Sequence, residues 1–203
     1  MSNPRRLVII GGDAAGMTAA SQARRMRSSD EMEIVAFERG QRTSYAACGL
    51  PYLIEGLVDR PEDLIARTPA EFIERGIDVH MGHDVISIDT SERTVMVRDL
   101  AAGAERTVPW DELVIATGAS GITPPLSGID SDGVFQLRTL DDAAAMETRI
   151  TEGARNAVVV GAGYIGLEVA EALDARGLSV TILEMAESPM AATLDPDMAE
   201  KIT

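Results

Sequence analysis

The stretch Ser44-Tyr45-Ala46-Ala47-Cys48-Gly49-Leu50-Pro51-Tyr52 holds the only cysteine in the chain. Ala46, Ala47 and Gly49 leave its sulfur sterically open, and Pro51 lies where a first helical turn tolerates a missing N–H. A thiol at a helix N-terminus meets the positive end of the macrodipole, which favours the nucleophilic thiolate. The competing reading of a lone cysteine is a buried small hydrophobe. A glycine-rich turn on each side of the stretch favours the reactive reading: Gly11-Gly12-Asp13-Ala14-Ala15-Gly16 before it and Gly161-Ala162-Gly163-Tyr164-Ile165-Gly166 after it. Such a turn lets the backbone approach a pyrophosphate, and the helix that follows supplies N–H groups to it.

The flanking residues supply the elements such turns need. Residues 6–10 form a short apolar run, expected as a central strand of a parallel sheet, and a helical pattern covers 17–26. Residues 33–38 predict a second strand ending on Glu38, placed to accept from ribose hydroxyls. Asp13 stands where the middle glycine of G-x-G-x-x-G belongs, so its carboxylate must face away from a pyrophosphate or bond locally. The second turn keeps all three glycines, between a strand at 157–160 and a helix at 167–176 closed by Gly177. A further strand at 178–184 then ends on Glu184.

Between the two repeats, Thr68-Pro69-Ala70-Glu71 is a capping box opening a helix to about residue 75. Residues 84–88 and 93–98 alternate like the arms of a hairpin, and 111–119 predict a buried strand ending in a glycine turn. Residues 120–137 form the linker, rich in Gly, Pro and Ser over most of its length. A helix is expected from Thr139 and Asp141 to about residue 151, and another over 195–202. The expected fold class is α/β, with two Rossmann-like dinucleotide-binding units at 1–119 and 138–203. The second is expected to be truncated, because such a unit normally continues with further strands.

A chain of 203 residues suffices for one sizeable domain or two small ones, and 45% hydrophobic with 25% charged residues is globular composition. The net charge of −15 argues against nucleic-acid binding, which needs a basic face. No apolar run is long enough to predict a membrane span, and the N-terminus lacks a signal peptide's apolar region. With one cysteine there is no internal disulfide framework, so a reducing cytoplasmic setting is expected. Arg24 and Arg25 fit a solvated helix face as well as a phosphate site. His80 and His83 lack the cysteine or acid cluster of a metal site, and no metal is expected.

Taken together, these residues resemble the FAD-dependent pyridine nucleotide-disulfide oxidoreductases. The similarity is greatest to their single-cysteine branch: coenzyme A-disulfide reductases and related NADH oxidases, peroxidases and persulfide reductases. It covers the whole chain and rests on residues 10–16, 21–25, 44–52, 116–119 and 161–168. The Ser-x-x-x-Cys-x-Leu-Pro-Tyr pattern distinguishes this branch from the two-cysteine one.

The resemblance implies that residues 1–119 are the first segment of an FAD-binding domain and 138–203 part of an NAD-binding domain. Gly11, Gly12, Ala15, Gly16, Glu38 and Arg39 would hold the ADP half of FAD, with Ala116, Thr117 and Gly118 near the flavin nucleotide. Gly161, Gly163, Ile165, Gly166 and Glu184 would hold NAD(P)H, with NADH preferred because a carboxylate at Glu184 repels a 2′-phosphate. Tyr164 would cover the flavin and Glu168 would lie beside the nicotinamide. Cys48 would be the redox-active residue, with Gln22, Arg25 and Ser44 at positions that bind coenzyme A. Ala47 departs from the asparagine often found before that cysteine. The implied partner is a small-molecule disulfide, and a homodimer is implied only with a C-terminal interface domain. An oxidase or peroxidase cycling Cys48 through sulfenic acid, and a non-catalytic nucleotide-binding fragment, are the alternatives.

Overall fold

The computed structural model describes residues 3–202. Two compact units emerge, one from Met1–Tyr45 and Ile65–Ser120, the other from Ala46–Leu64 and Gly121–Thr203. The second unit thus includes residues 46–64, a segment that chain order had grouped with the first glycine turn.

In the first unit, strands β1 (Arg5–Ile10), β2 (Met32–Glu38), β3 (Ile77–Met81) and β7 (Glu112–Ile115) form a parallel sheet ordered β3-β2-β1-β7. Side chains alternate between the faces of a strand, so each strand feeds two cores. Leu7, Ile9, Ile34 and Ala36 pack on one face with Met17, Ala20 and Phe72, which come from helices α1 (Ala14–Met26) and α3 (Pro69–Glu74). Val8, Ile10, Val35 and Phe37 meet Val95, Val97 and Val108 on the other. Those three valines belong to an antiparallel sheet of β4 (His83–Asp89), β5 (Thr94–Asp99) and β6 (Glu105–Pro109). With both faces covered, β1 and β2 are continuous apolar runs rather than alternating ones.

Two details depart from the sequence expectation. Strand β7 was expected to be buried, but it pairs only with β1 and lies at the sheet edge, leaving Ile115 63% exposed. Strand β6 carries a single buried apolar residue, Val108, and gave no periodic signal.

In the second unit, parallel strands β8 (Asn156–Val160) and β9 (Ser179–Leu183) flank helix α5 (Tyr164–Ala175). Helix α2 (Leu50–Glu55) packs on α5 and on α4 (Leu140–Thr151), burying Leu50, Leu53 and Ile54. This packing accounts for the grouping of 46–64 with the later residues. Arg176 reinforces it by donating to the Ile54 carbonyl at 2.8 Å. Thr139 and Asp142 form a capping box on α4, as Thr68 and Glu71 do on α3. A short helix α6 (Pro196–Ala199) continues as a tighter turn over Glu200–Ile202. Among the described residues no helix is long and apolar enough to cross a membrane.

Candidate functional site

The two glycine turns are built alike. Gly11 and Gly161 have φ of +104° and +105°, a region that disfavours any side chain. Their N–H groups donate to the carbonyls of Phe37 and Leu183 at 2.9 and 2.8 Å. The last glycine of each turn lets the following helix approach: a Cβ on Gly16 would lie 1.9 Å from the Gly11 oxygen, and one on Gly166 2.0 Å from the Gly161 oxygen. Gly11 also abuts the end of β7, where an added Cβ would stand 2.1 Å from the Ala116 oxygen.

The acids that end the second strands have a local task in both units. Glu38 accepts from the Gly12 N–H and the Gly40 N–H, both at 2.7 Å. Glu184 accepts from Ala162 at 2.6 Å, Met185 at 2.7 Å and Ala186 at 2.8 Å. The backbone N–H of Ala186, followed by that of Ala162, holds the Glu184 carboxyl below the usual carboxylate range. A carboxylate offers about four lone-pair sites, so these bonds leave acceptor capacity for ribose hydroxyls.

The middle position distinguishes the turns. Gly163 is the N-cap of α5 and has no atom within 4 Å of where its Cβ would stand, an opening that fits a pyrophosphate at the N-terminus of a twelve-residue helix. Asp13, its counterpart, is the extended N-cap of α1 (φ −106°, ψ −158°) and makes no side-chain capping bond. Around the turns, Ala15, Arg39, Thr117, Gly118 and Glu168 are exposed, and Tyr164 and Ile165 are 63% and 56% exposed.

Cys48 is a free, exposed thiol. It lies in a tight turn, Ala47–Gly49, immediately before α2, whose N-cap is Gly49 and whose first turn contains Pro51. Gly49 is buried against Leu64, whose side chain a Cβ would meet at 2.4 Å, so a larger residue here would have to displace it.

Of the residues implied for coenzyme A, Gln22 and Arg25 are brought together: the Gln22 Oε1 accepts from Arg25 Nε at 3.0 Å and from its terminal nitrogen at 2.5 Å. Ser44 lies in the loop after β2 with φ +52°, its carbonyl accepting from the Ala66 N–H. Arg24 turns out to be structural. It donates to the carbonyls of Arg27, Met32 and Gly76, tying the end of α1 to the starts of β2 and β3. His80 stacks on Phe37, with ring centroids 5.3 Å apart, and its Nε2 lies 2.9 Å from Asp78.

Sequence reasoning missed Thr43. It is the one buried polar or charged residue among those described, 1% exposed, and its hydroxyl donates to the Gly12 carbonyl. A single threonine in a polar loop carries no periodic or spacing signal.

The family model described as pyridine nucleotide-disulphide oxidoreductase matches residues 5–203. The chain is 42% identical over 197 residues to an NADH oxidase of Methanocaldococcus jannaschii, an alignment covering 96% of this chain and 43% of that protein. It is 38% identical over 198 residues to an NAD(P)H coenzyme A polysulfide/persulfide reductase of Pyrococcus horikoshii, covering 97% and 43%. Among solved structures, an NAD-dependent persulfide reductase from A. fulgidus matches with a TM-score of 0.93 at 39% identity, covering 97% of this chain and 37% of that one. The chain therefore spans less than half the length of these relatives.

Proposed function

Because the chain belongs to the pyridine nucleotide-disulphide oxidoreductase family, we propose that it is the N-terminal portion of an FAD-dependent, NAD(P)H-driven reductase of small sulfur compounds. Coenzyme A disulfide or a persulfide is the substrate class, and Cys48 is the reacting residue. The observation that carries this reading is the pair of alike glycine turns in a chain whose only cysteine is exposed.

When bound, FAD would supply two-electron transfer chemistry between the nicotinamide and the sulfur centre. The first turn, with Gly11, Gly12, Ala15, Gly16, Glu38 and Arg39, holds the ADP half of FAD, and Ala116, Thr117 and Gly118 receive its flavin nucleotide. The second turn, with Gly161, Gly163, Ile165, Gly166 and Glu184, would hold the nicotinamide dinucleotide, with Tyr164 covering the flavin and Glu168 beside the nicotinamide. The Cys48 thiolate attacks one sulfur of the disulfide. A bond forms to that sulfur, the S–S bond breaks, and the other half leaves as a thiolate. Two electrons drawn from NAD(P)H would then cleave the S–S bond between Cys48 and the bound half, returning the Cys48 thiolate and releasing the second thiol as its thiolate. Gln22, Arg25 and Ser44 take up the coenzyme A moiety.

Similarity to a protein named NADH oxidase supports a second reading, in which Cys48 cycles through sulfenic acid. The test is coenzyme A disulfide turnover in the full-length polypeptide, measured as NADH-dependent thiol release. Cys48→Ser is expected to reduce thiol release to background while retaining FAD, because serine is too weak a nucleophile and leaving group for exchange. Unchanged release in the serine variant contradicts the assignment. Oxygen consumption that needs Cys48, without thiol release in the wild type, favours the oxidase.

A further inference from the structure

Both glycine turns fix the orientation of the same peptide, and they use different chemistry to do so. In the first unit the Gly12 carbonyl accepts from the Thr43 hydroxyl. In the second, the Ala162 carbonyl accepts from the Met190 N–H at 2.9 Å. Gly12 and Ala162 are both the second residue of their turn. Met190 is buried, 7% exposed, and makes this bond with φ at +57°, a conformation unfavourable for a non-glycine residue. Thr43 has its hydroxyl in a buried site, a placement that is unfavourable unless the group is bonded. The second unit thus tolerates a local backbone cost where this carbonyl is held, while in the first the same bond satisfies a buried hydroxyl.

The consequence follows from peptide geometry. A trans peptide is planar, with its C=O and N–H pointing in opposite directions. Drawing the Gly12 carbonyl toward Thr43 therefore directs the Asp13 N–H the other way, at the mouth of α1. The Gly12 N–H is already committed to Glu38, so the peptides on both sides of Gly12 are locked. In the second unit the same arrangement directs the Gly163 N–H, where the turn is open.

We propose that Thr43 is a positioning residue for the first dinucleotide: by holding the Gly12 carbonyl it aims the Asp13 N–H at the pyrophosphate of FAD. This rests on the assignment of the first turn to FAD made above. Preorganised donors bind more tightly because their ordering is complete before the ligand arrives.

The test uses the full-length polypeptide freed of flavin. FAD binding is followed by flavin fluorescence and ADP binding by calorimetry. Thr43→Ser, which keeps the hydroxyl, is expected to bind both within about twofold of wild type. Thr43→Val, nearly isosteric but without the hydroxyl, is expected to bind FAD at least about tenfold more weakly and ADP by a matching factor. In the wild type, the Asp13 amide proton is expected to gain protection from hydrogen exchange when ADP binds, a readout that needs no variant. Wild-type affinities in Thr43→Val, or no gain of protection at Asp13, would overturn the proposal while leaving the FAD assignment standing. A wild-type protein that takes up neither FAD nor ADP would overturn both.

Discussion

Under the proposed function, Glu184 is the residue expected to choose between the two pyridine nucleotides. The backbone N–H groups of Ala186, Ala162 and Met185 hold its carboxyl low, so it is anionic at neutral pH. An anion there accepts from a free ribose 2′-hydroxyl and repels a 2′-phosphate. The full-length protein is therefore expected to use NADH in preference to NADPH, and Glu184→Gln to narrow the kcat/KM ratio by about tenfold. Steady-state kinetics with both nucleotides checks this, and wild-type turnover with NADPH equal to or better than with NADH contradicts it. The acid's position was legible because it ends an apolar strand at a fixed distance from a glycine turn. Its second task, holding the Ala162 N–H, was not, because it depends on where the backbone amides fall in space. Thr43 was less legible still: it lies in the loop between β2 and the cysteine, and burial alone distinguishes it.

Among the elements, those with strong local signals were found close to their expected bounds: the β-α-β order of each repeat, the Thr68–Glu71 capping box and the β4–β5 hairpin. Strand β6 escaped because its outward residues are polar, and the packing of α2 on α4 and α5 escaped because no local pattern encodes a tertiary neighbour. The second turn also separates folding from binding between two glycines of one element. Gly166→Ala puts a methyl group 2.0 Å from the Gly161 oxygen and is expected to destabilise the second unit by about 1–3 kcal/mol. Gly163 has backbone angles open to any residue (φ −81°, ψ −174°) and empty space beside it. Gly163→Ala is expected to keep the wild-type thermal midpoint and FAD content yet bind NADH at least about tenfold more weakly. Thermal unfolding and NADH titration of both variants decide the matter; undiminished NADH affinity in Gly163→Ala would show that the opening is not where the pyrophosphate sits.

At the scale of the whole molecule, a strongly acidic chain repeats one dinucleotide-binding device twice. The β8–β9 pair leaves Val158 and Val160 exposed at 62% and 68%. A two-stranded sheet with an open apolar face is a marginal structure, so tests of activity belong in the full-length polypeptide. There, the first repeat is expected to serve a flavin and the second the nucleotide that reduces it. Anaerobic titration with NADH, followed at the visible flavin absorption, tests it most directly. A yellow protein with about one FAD per chain, bleached by NADH before any sulfur substrate is added, is the expected result. A protein that carries no flavin, or one whose flavin NADH leaves oxidised, would contradict it.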